Sequence, residues 1–258
     1  MRSRKVIFIA VLALAVLGGI VWLCLPGEPR YQGKSLTYWL RSLDEKPLEF
    51  TGVTVETNHP AALAFRQMGS KAVPHLIREL RVRDPAWKRK VRGSLDGNSF
   101  LGMDFTPAHV RQYRAIQACY ALGPTAKEAI PELTQLLGAR ISEVLVTFAL
   151  SATGSEALPS LIGGLTNRQS EVRLYAAMAL RNVSYDVEPA VPALVVCLGD
   201  RQDYRVRCEA AMTLAHIRKK PEVVVPALTK NLSDTNETVR SMTATALARF
   251  RDAPPATK

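Results

Sequence analysis

The feature that most constrains this chain is an internal repeat that aligns without gaps. Residues 171–200 (EVRLYAAMALRNVSYDVEPAVPALVVCLGD) lie over residues 205–234 (RVRCEAAMTLAHIRKKPEVVVPALTKNLSD) at an offset of 34, with 13 of 30 positions identical. The identities cluster as Val-Arg, Ala-Ala-Met and Leu, then Val-Pro-Ala-Leu, a second Leu and a closing Asp. Apolar residues at helical spacing in both halves, with a break between them, make each unit two amphipathic helices. A helix pair of this size cannot bury its apolar stripe alone, so neighbouring copies must stack and share one core. The expectation is therefore an all-α chain: a right-handed α-solenoid of about five helix pairs with a terminal half-repeat, preceded by one membrane helix.

The same punctuation runs upstream. Gly69 with Pro74, Gly123 with Pro131 and Gly154 with Pro159 are followed by Pro192 and Pro226. Glycine suits the residue that ends a helix, and proline suits the first turn of the next, where its missing N–H costs nothing. The prolines are spaced 57, 28, 33 and 34 residues apart, so the first interval holds an insertion and the second a trimmed repeat. This divides the chain into a tail and anchor over 1–25, a linker and capping helix over 26–56, a solenoid over 57–251 with an insertion over 81–106, and a tail over 252–258. Ser35 is placed to cap a helix carrying Leu36, Trp39, Leu40 and Leu43 on one face. The stretch Gly27–Ser35 has five residues between its glycines and follows no strand, so it reads as a polar turn and not as a phosphate loop.

Arg2, Arg4 and Lys5 precede an uncharged run from Val6 to Leu25. Its 20 residues suffice to cross a hydrocarbon core of about 30 Å at about 1.5 Å per residue. The run ends Val-Trp-Leu-Cys-Leu-Pro, without the small residues of a cleavage site, so an uncleaved span is expected. Basic residues before the span keep the N-terminus in the cytoplasm and place the rest outside it. The expected location is a bacterial inner membrane, crossed once, with the solenoid in the periplasm. Setting the three basic residues aside leaves 31 Lys and Arg against 23 acids, a net of +8 outside the membrane. Nucleic acid is not expected there; an anionic lipid or envelope polymer fits the location.

Val-Arg-x-x-Ala-x-x-x-Leu followed by Val-Pro-x-Leu-x-x-x-Leu resembles HEAT repeats in their bacterial, phycobilin-lyase-like form. The likeness is strongest over 170–250 and fair over 57–166. The layout of a span, then YQGKSLTYWL at 31–40, a first repeat with Arg66-Gln-Met-Gly69 and a basic insertion, resembles membrane-anchored HEAT-repeat proteins of the Verrucomicrobia. The resemblance implies a fold and brings no activity with it. It also implies that the Arg of each Val-Arg pair bonds an Asp of the turn preceding it. Arg207 follows Asp200, Arg240 follows Asp234, and Arg173 has only Asn167 upstream, giving a structural ladder.

Chemistry is hard to find in these residues. The histidines His59, His75, His109 and His216 are followed by Pro, Leu, Val and Ile, so no His-Glu metal pair exists. No Gly-x-Ser-x-Gly elbow is present, Cys119, Cys197 and Cys208 read as buried small side chains, and no residue pattern calls for a cofactor. A lyase-like activity would rest on fold analogy alone. The reading that remains is a non-catalytic scaffold binding a protein partner through the second helices, expected to line a concave face. Taking Val73, Leu76, Ile77 and Leu80 as core leaves His75, Arg78 and Glu79 outside, and the equivalent positions are Glu132 and Gln135, Ser160 and Gly163, Ala193 and Val196, Ala227 and Lys230. The insertion supplies a second candidate surface for anionic lipid or polyanion, made of Arg81, Arg83, Lys88, Arg89, Lys90 and Arg92.

Overall fold

The computed structural model describes residues 27–48, 50–51, 54–55, 58–86, 99–100, 103–104, 106–138, 143–183 and 185–251. The apolar run at 6–25, the basic residues Lys88, Arg89, Lys90 and Arg92, and the tail at 252–258 lie outside them. Among the described residues no helix is long and apolar enough to cross a membrane.

The described chain is helical apart from three two-residue hairpins: β1 (Arg30–Tyr31) with β2 (Lys34–Ser35), β3 (Phe50–Thr51) with β4 (Thr54–Val55), and β5 (Ser99–Phe100) with β6 (Met103–Asp104). Helix α1 (Leu36–Ser42) starts where the sequence places it, with the Ser35 hydroxyl accepting the Tyr38 N–H at 3.2 Å. Five helix pairs follow: α2 (Pro60–Met68) with α3 (Val73–Arg81), α4 (Ala108–Leu122) with α5 (Ile130–Leu136), α6 (Glu143–Ala152) with α7 (Leu158–Leu165), α8 (Ser170–Asn182) with α9 (Val191–Cys197), and α10 (Tyr204–Ile217) with α11 (Pro221–Asn231). The unpaired α12 (Glu237–Arg251) closes the described array.

The glycine and proline punctuation does what the sequence implied. Gly69, Gly123 and Gly154 have φ of 55°, 59° and 101°, a region L side chains rarely enter, and each turns the chain into a short 3-10 segment before the second helix. The last pair manages without glycine, through Arg218 and Lys220 at φ of 53° and 50°.

First helices α2, α4, α6, α8, α10 and α12 lie side by side in one layer, and second helices in another. Small residues set the spacing of the first layer. Ala115, Ala118, Ala149, Ala176, Ala177, Ala179, Ala210, Ala211 and Ala215 are all fully buried, so these helices approach closely along their length. Neighbouring second helices touch at fewer places.

A ladder of arginines, buried at Arg173 and half-buried at Arg207 and Arg240, links the last repeats, and its carboxylates come from the direction opposite to the expected one. Arg173 donates from Nη1 to the carbonyls of Asn167 and Arg168 in its own turn, at 2.7 and 3.1 Å, and from Nε to Asp200 Oδ2 in the following turn, at 2.5 Å. Arg207 repeats this with the Asp200 carbonyl behind it at 2.9 Å and both Asp234 oxygens ahead at 2.8 Å. Arg240 holds the carbonyls of Asp234 and Thr235. In the first two rungs the carboxylate thus comes from the turn after the arginine, while in all three the preceding turn supplies backbone oxygen.

At the other end, α1 seals the array against α2 and α4. Asp44 accepts from Arg114 Nε at 2.8 Å in a bidentate pair, and Gln117 Oε1 accepts the Leu48 N–H at 2.9 Å.

Candidate interaction surface

The second helices carry an exposed row that crosses the array one helix at a time: Arg78 on α3, Gln135 on α5, Gly163 on α7, Val196 on α9 and Lys230 on α11, all exposed. The row one turn earlier is sheltered. His75, Ser160, Ala193 and Ala227 are half-buried, and Glu132 is buried.

Glu132 is a correction to the expectation of an exposed position. Arg81, at the end of α3, reaches across and donates Nε to Glu132 Oε1 at 2.9 Å, with Nη2 on the same oxygen. Glu79, also expected outside, is held by Arg111 in two bonds of 2.6 Å. Both carboxylates are therefore part of the packing between the first two pairs. His75 lies against Arg78, and burial first, then the Arg78 charge, lowers its pKa, so the ring is neutral at neutral pH. Thr134 Oγ1 donates to the Ile130 carbonyl at 2.7 Å, so its 2.8 Å contact with Ser160 Oγ is one in which the serine hydroxyl donates.

Val196 is 72% exposed, the most open of the large apolar side chains among the described residues. The two adjacent glycines on α7 differ in what surrounds them. A Cβ on Gly164 would sit 2.9 Å from the Ala176 Cβ, so close packing against α8 demands a glycine there. A Cβ on Gly163 would meet nothing within 4 Å. Gly163 therefore lies open on the exposed side of α7.

Of the expected anion-binding residues, two are described, and both are engaged. Arg81 is paired with Glu132, although its side chain is 67% exposed. Arg83 donates Nη1 to the carbonyls of Leu80 and Val82, at 3.3 and 3.0 Å, fastening the end of α3.

His59 and the two buried thiols serve the structure. His59 Nδ1 accepts the Ala61 N–H at 3.2 Å as a helix cap, which assigns its Nε2 as the donor to the Lys46 carbonyl at 3.0 Å. Burial pushes the Cys119 thiol up to about 12 and the Cys197 thiol up to about 11, and Cys119, Cys197 and Cys208 are free. Among the described residues no group of three or more His, Cys, Asp or Glu side chains could hold a metal ion.

Alongside two stacked layers of helix pairs, a Val-Arg rung and an aliphatic-Pro start to four of the five described second helices, residues 191–258 match the family model described as HEAT repeats. Over that stretch the chain is similar to HEAT repeats. The HEAT match covers α9 to the end of the chain, and the rung and row positions continue upstream of it. No curated protein matches the chain. Among solved structures, human deoxyhypusine hydroxylase in complex with glycerol is 18% identical, with a TM-score of 0.42, over 84% of each chain. An engineered protein from a structural-genomics consortium is 20% identical, with a TM-score of 0.40, over 84% of this chain and 96% of its own. A designed armadillo-repeat protein in complex with a (KR)4 peptide is 19% identical, with a TM-score of 0.41, over 69% of this chain and 99% of its own.

Sequence reasoning had no signal for the Arg81–Glu132, Arg111–Glu79 and Arg114–Asp44 pairs, whose partners lie 51, 32 and 70 residues apart, outside the period of the repeat.

Proposed function

We propose that this chain is a membrane-tethered, non-catalytic scaffold whose HEAT-type array holds a protein partner against the outer row of its second helices. The observation that carries the reading is that row, Arg78, Gln135, Gly163, Val196 and Lys230, exposed on five successive second helices, with Val196 left in solvent between Gly163 and Lys230. A helical or extended protein segment fits it better than a small metabolite, since the row is open along its length. The apolar run at 6–25 supplies the tether, with the array outside the cytoplasm.

A photo-cross-linking residue placed at position 196 in native membranes, with position 216 on the first-helix layer as control, tests the surface. Adducts from 196 and none from 216 are expected, and Val196→Arg should abolish capture at low and high salt alike. Equal adducts from both positions would refute the reading. Replacing Lys88, Arg89, Lys90 and Arg92 by Ser should weaken partner capture mainly at low salt, because charge contacts are screened. A phosphatase fused after Lys258 should be active; an inactive fusion would reverse the orientation.

A further inference from the structure

We infer that the exposed side of the capping segment, carrying Lys34, Tyr38 and Arg41, seats on the lipid phosphates of the membrane that the apolar run crosses, and so holds the array by its capped end. The inference rests on the tether in the reading above and adds a second contact beside it.

Very little chain separates the run from the cap. The run ends at Leu25, and by Glu28 the backbone is already fastened to α1: Glu28 Oε1 accepts the Thr37 N–H, and the Pro29 carbonyl accepts the Leu36 N–H at 3.0 Å. From Leu25 to Glu28 is three residue steps, which at about 3.3–3.6 Å each span at most about 10–11 Å. The polar layer on each side of a bilayer is about 5–8 Å deep. The first turn of α1 therefore sits at the headgroups or just above them. The hairpin of β1 and β2 turns at Gln32 and Gly33, both at positive φ, and returns Lys34 to that same turn of α1.

The side chains there suit a phosphate layer. Lys34, Thr37, Tyr38 and Arg41 are spaced as one helical face, and all four are exposed. Lys34 Nζ donates to the Tyr38 hydroxyl at 2.8 Å and lies 4.3 Å from the centre of its ring, and the ring stands edge-on to the buried Trp39. A tyrosine ring with cations beside it is matched to the membrane interface, where the ring sits among headgroups and the cations meet phosphate. Of the carboxylates around this face, Glu28 is engaged with Thr37 and Asp44 with Arg114, and Glu45 lies one turn beyond Arg41. The opposite side of α1 is the buried one, formed by Leu36, Trp39 and Leu40, and α1 meets α2 and α4. Seating the exposed side on lipid thus leaves those packing contacts untouched.

The full chain in vesicles of equal parts phosphatidylcholine and phosphatidylglycerol provides the test. A fluorophore is placed on one introduced thiol, with Cys24→Ser and Cys208→Ala as background, and nitroxide on the lipid headgroup is the quencher. A label at Thr37→Cys should be quenched, and one at Lys230→Cys, on the last helix pair, should not. A label at Ala15→Cys, read with nitroxide in the acyl chain, reports the tether separately. Inserting about twelve Gly and Ser residues between Gly27 and Glu28 removes the constraint of the short connection, so that contact is told from nearness. Quenching at position 37 should survive the insertion at low salt. In the lengthened chain Lys34→Ser with Arg41→Ser should then lower the ratio of seated to lifted arrays about 30-fold. High salt should lower it without any substitution. A lengthened chain that is unquenched at low salt, or that stays quenched after the double substitution and in high salt, overturns the phosphate contact. An unquenched position 37 with a quenched position 15 overturns the inference and leaves the tether standing, whereas an unquenched position 15 overturns both.

Discussion

Replacing Asp200 by alanine isolates one rung of the arginine ladder. The carboxylate accepts from Arg173 Nε at 2.5 Å and from the backbone N–H groups of Gln202 and Asp203 at 3.0 and 2.9 Å. The Arg173 and Asp200 side chains are only 10% and 6% exposed. An exposed ion pair is worth about 0–1 kcal/mol, whereas removing one partner of a buried pair costs about 3–5 kcal/mol because the other charge stays behind. Arg173 keeps the Asn167 and Arg168 carbonyls and the Gln202 side chain, so the lower end, about 3 kcal/mol, is expected. At about 2–4 °C per kcal/mol for a protein of this size, the melting temperature should fall by roughly 6–12 °C. The sign with pH follows from the carboxyl's own shift. Burial alone would raise its pKa, but the Arg173 and backbone hydrogen bonds outweigh burial and lower it. Its contribution is therefore complete above the ordinary carboxylate pKa of about 4 and is lost as pH falls through the lowered value. Urea unfolding at pH 7 measures the loss, and repeating it towards pH 3 should bring variant and wild type together. Asp203→Ala, which removes a helix cap and the partly exposed pair with Arg205, should cost about 1 kcal/mol. The double variant Arg173→Met with Asp200→Leu should recover most of the loss, because no charge is stranded. If Asp200→Ala costs no more than Asp203→Ala at pH 7, the ladder does not hold the repeats together.

Ala210 is fully buried in the close-packed first layer, so Ala210→Asp should cost about 3–5 kcal/mol in the same assay. Gly69→Ala, forced to φ 55°, should cost about 1–3 kcal/mol, whereas Gly163→Ala, whose Cβ meets nothing, should leave stability unchanged or slightly higher. Among the described thiols, native Cys208 should react with a disulfide reagent at pH 8 before Cys119 and Cys197, which burial holds protonated; a Cys119 that reacts as fast would place α4 differently.

Much of this architecture is legible in the sequence because a solenoid repeats its local rules. Gly69, Gly123 and Gly154 end first helices and the five prolines open or enter second helices, as their spacing implies, and α12 spans the segment expected for an unpaired helix. The ladder was visible too, but its direction was not: Asp200 stands seven residues before Arg207 and 27 after Arg173, and a 34-residue period assigns it equally to either. Glu132 was misplaced for a different reason. Its register matches His75 on the neighbouring second helix, and only the three-dimensional approach of Arg81 turns that position into a buried pair. The sequence shows Gly163 and Gly164 alike, and only the approach of Ala176 to Gly164 separates a glycine that packing demands from one that lies open.

The forward reach of each rung also says how such an array can change length. From Arg173 to Asp200 is 27 residues, less than one 34-residue period, so a rung closes inside a single unit and needs only backbone carbonyls from the unit before it. Any preceding turn can supply those. A duplicated unit running from residue 171 to 204 would arrive with its arginine and its carboxylate already matched, and the valine, alanine and proline contacts would come with them. Lengthening by whole units is thus nearly free of new requirements, whereas an insertion of any other size within a unit separates an arginine from its aspartate.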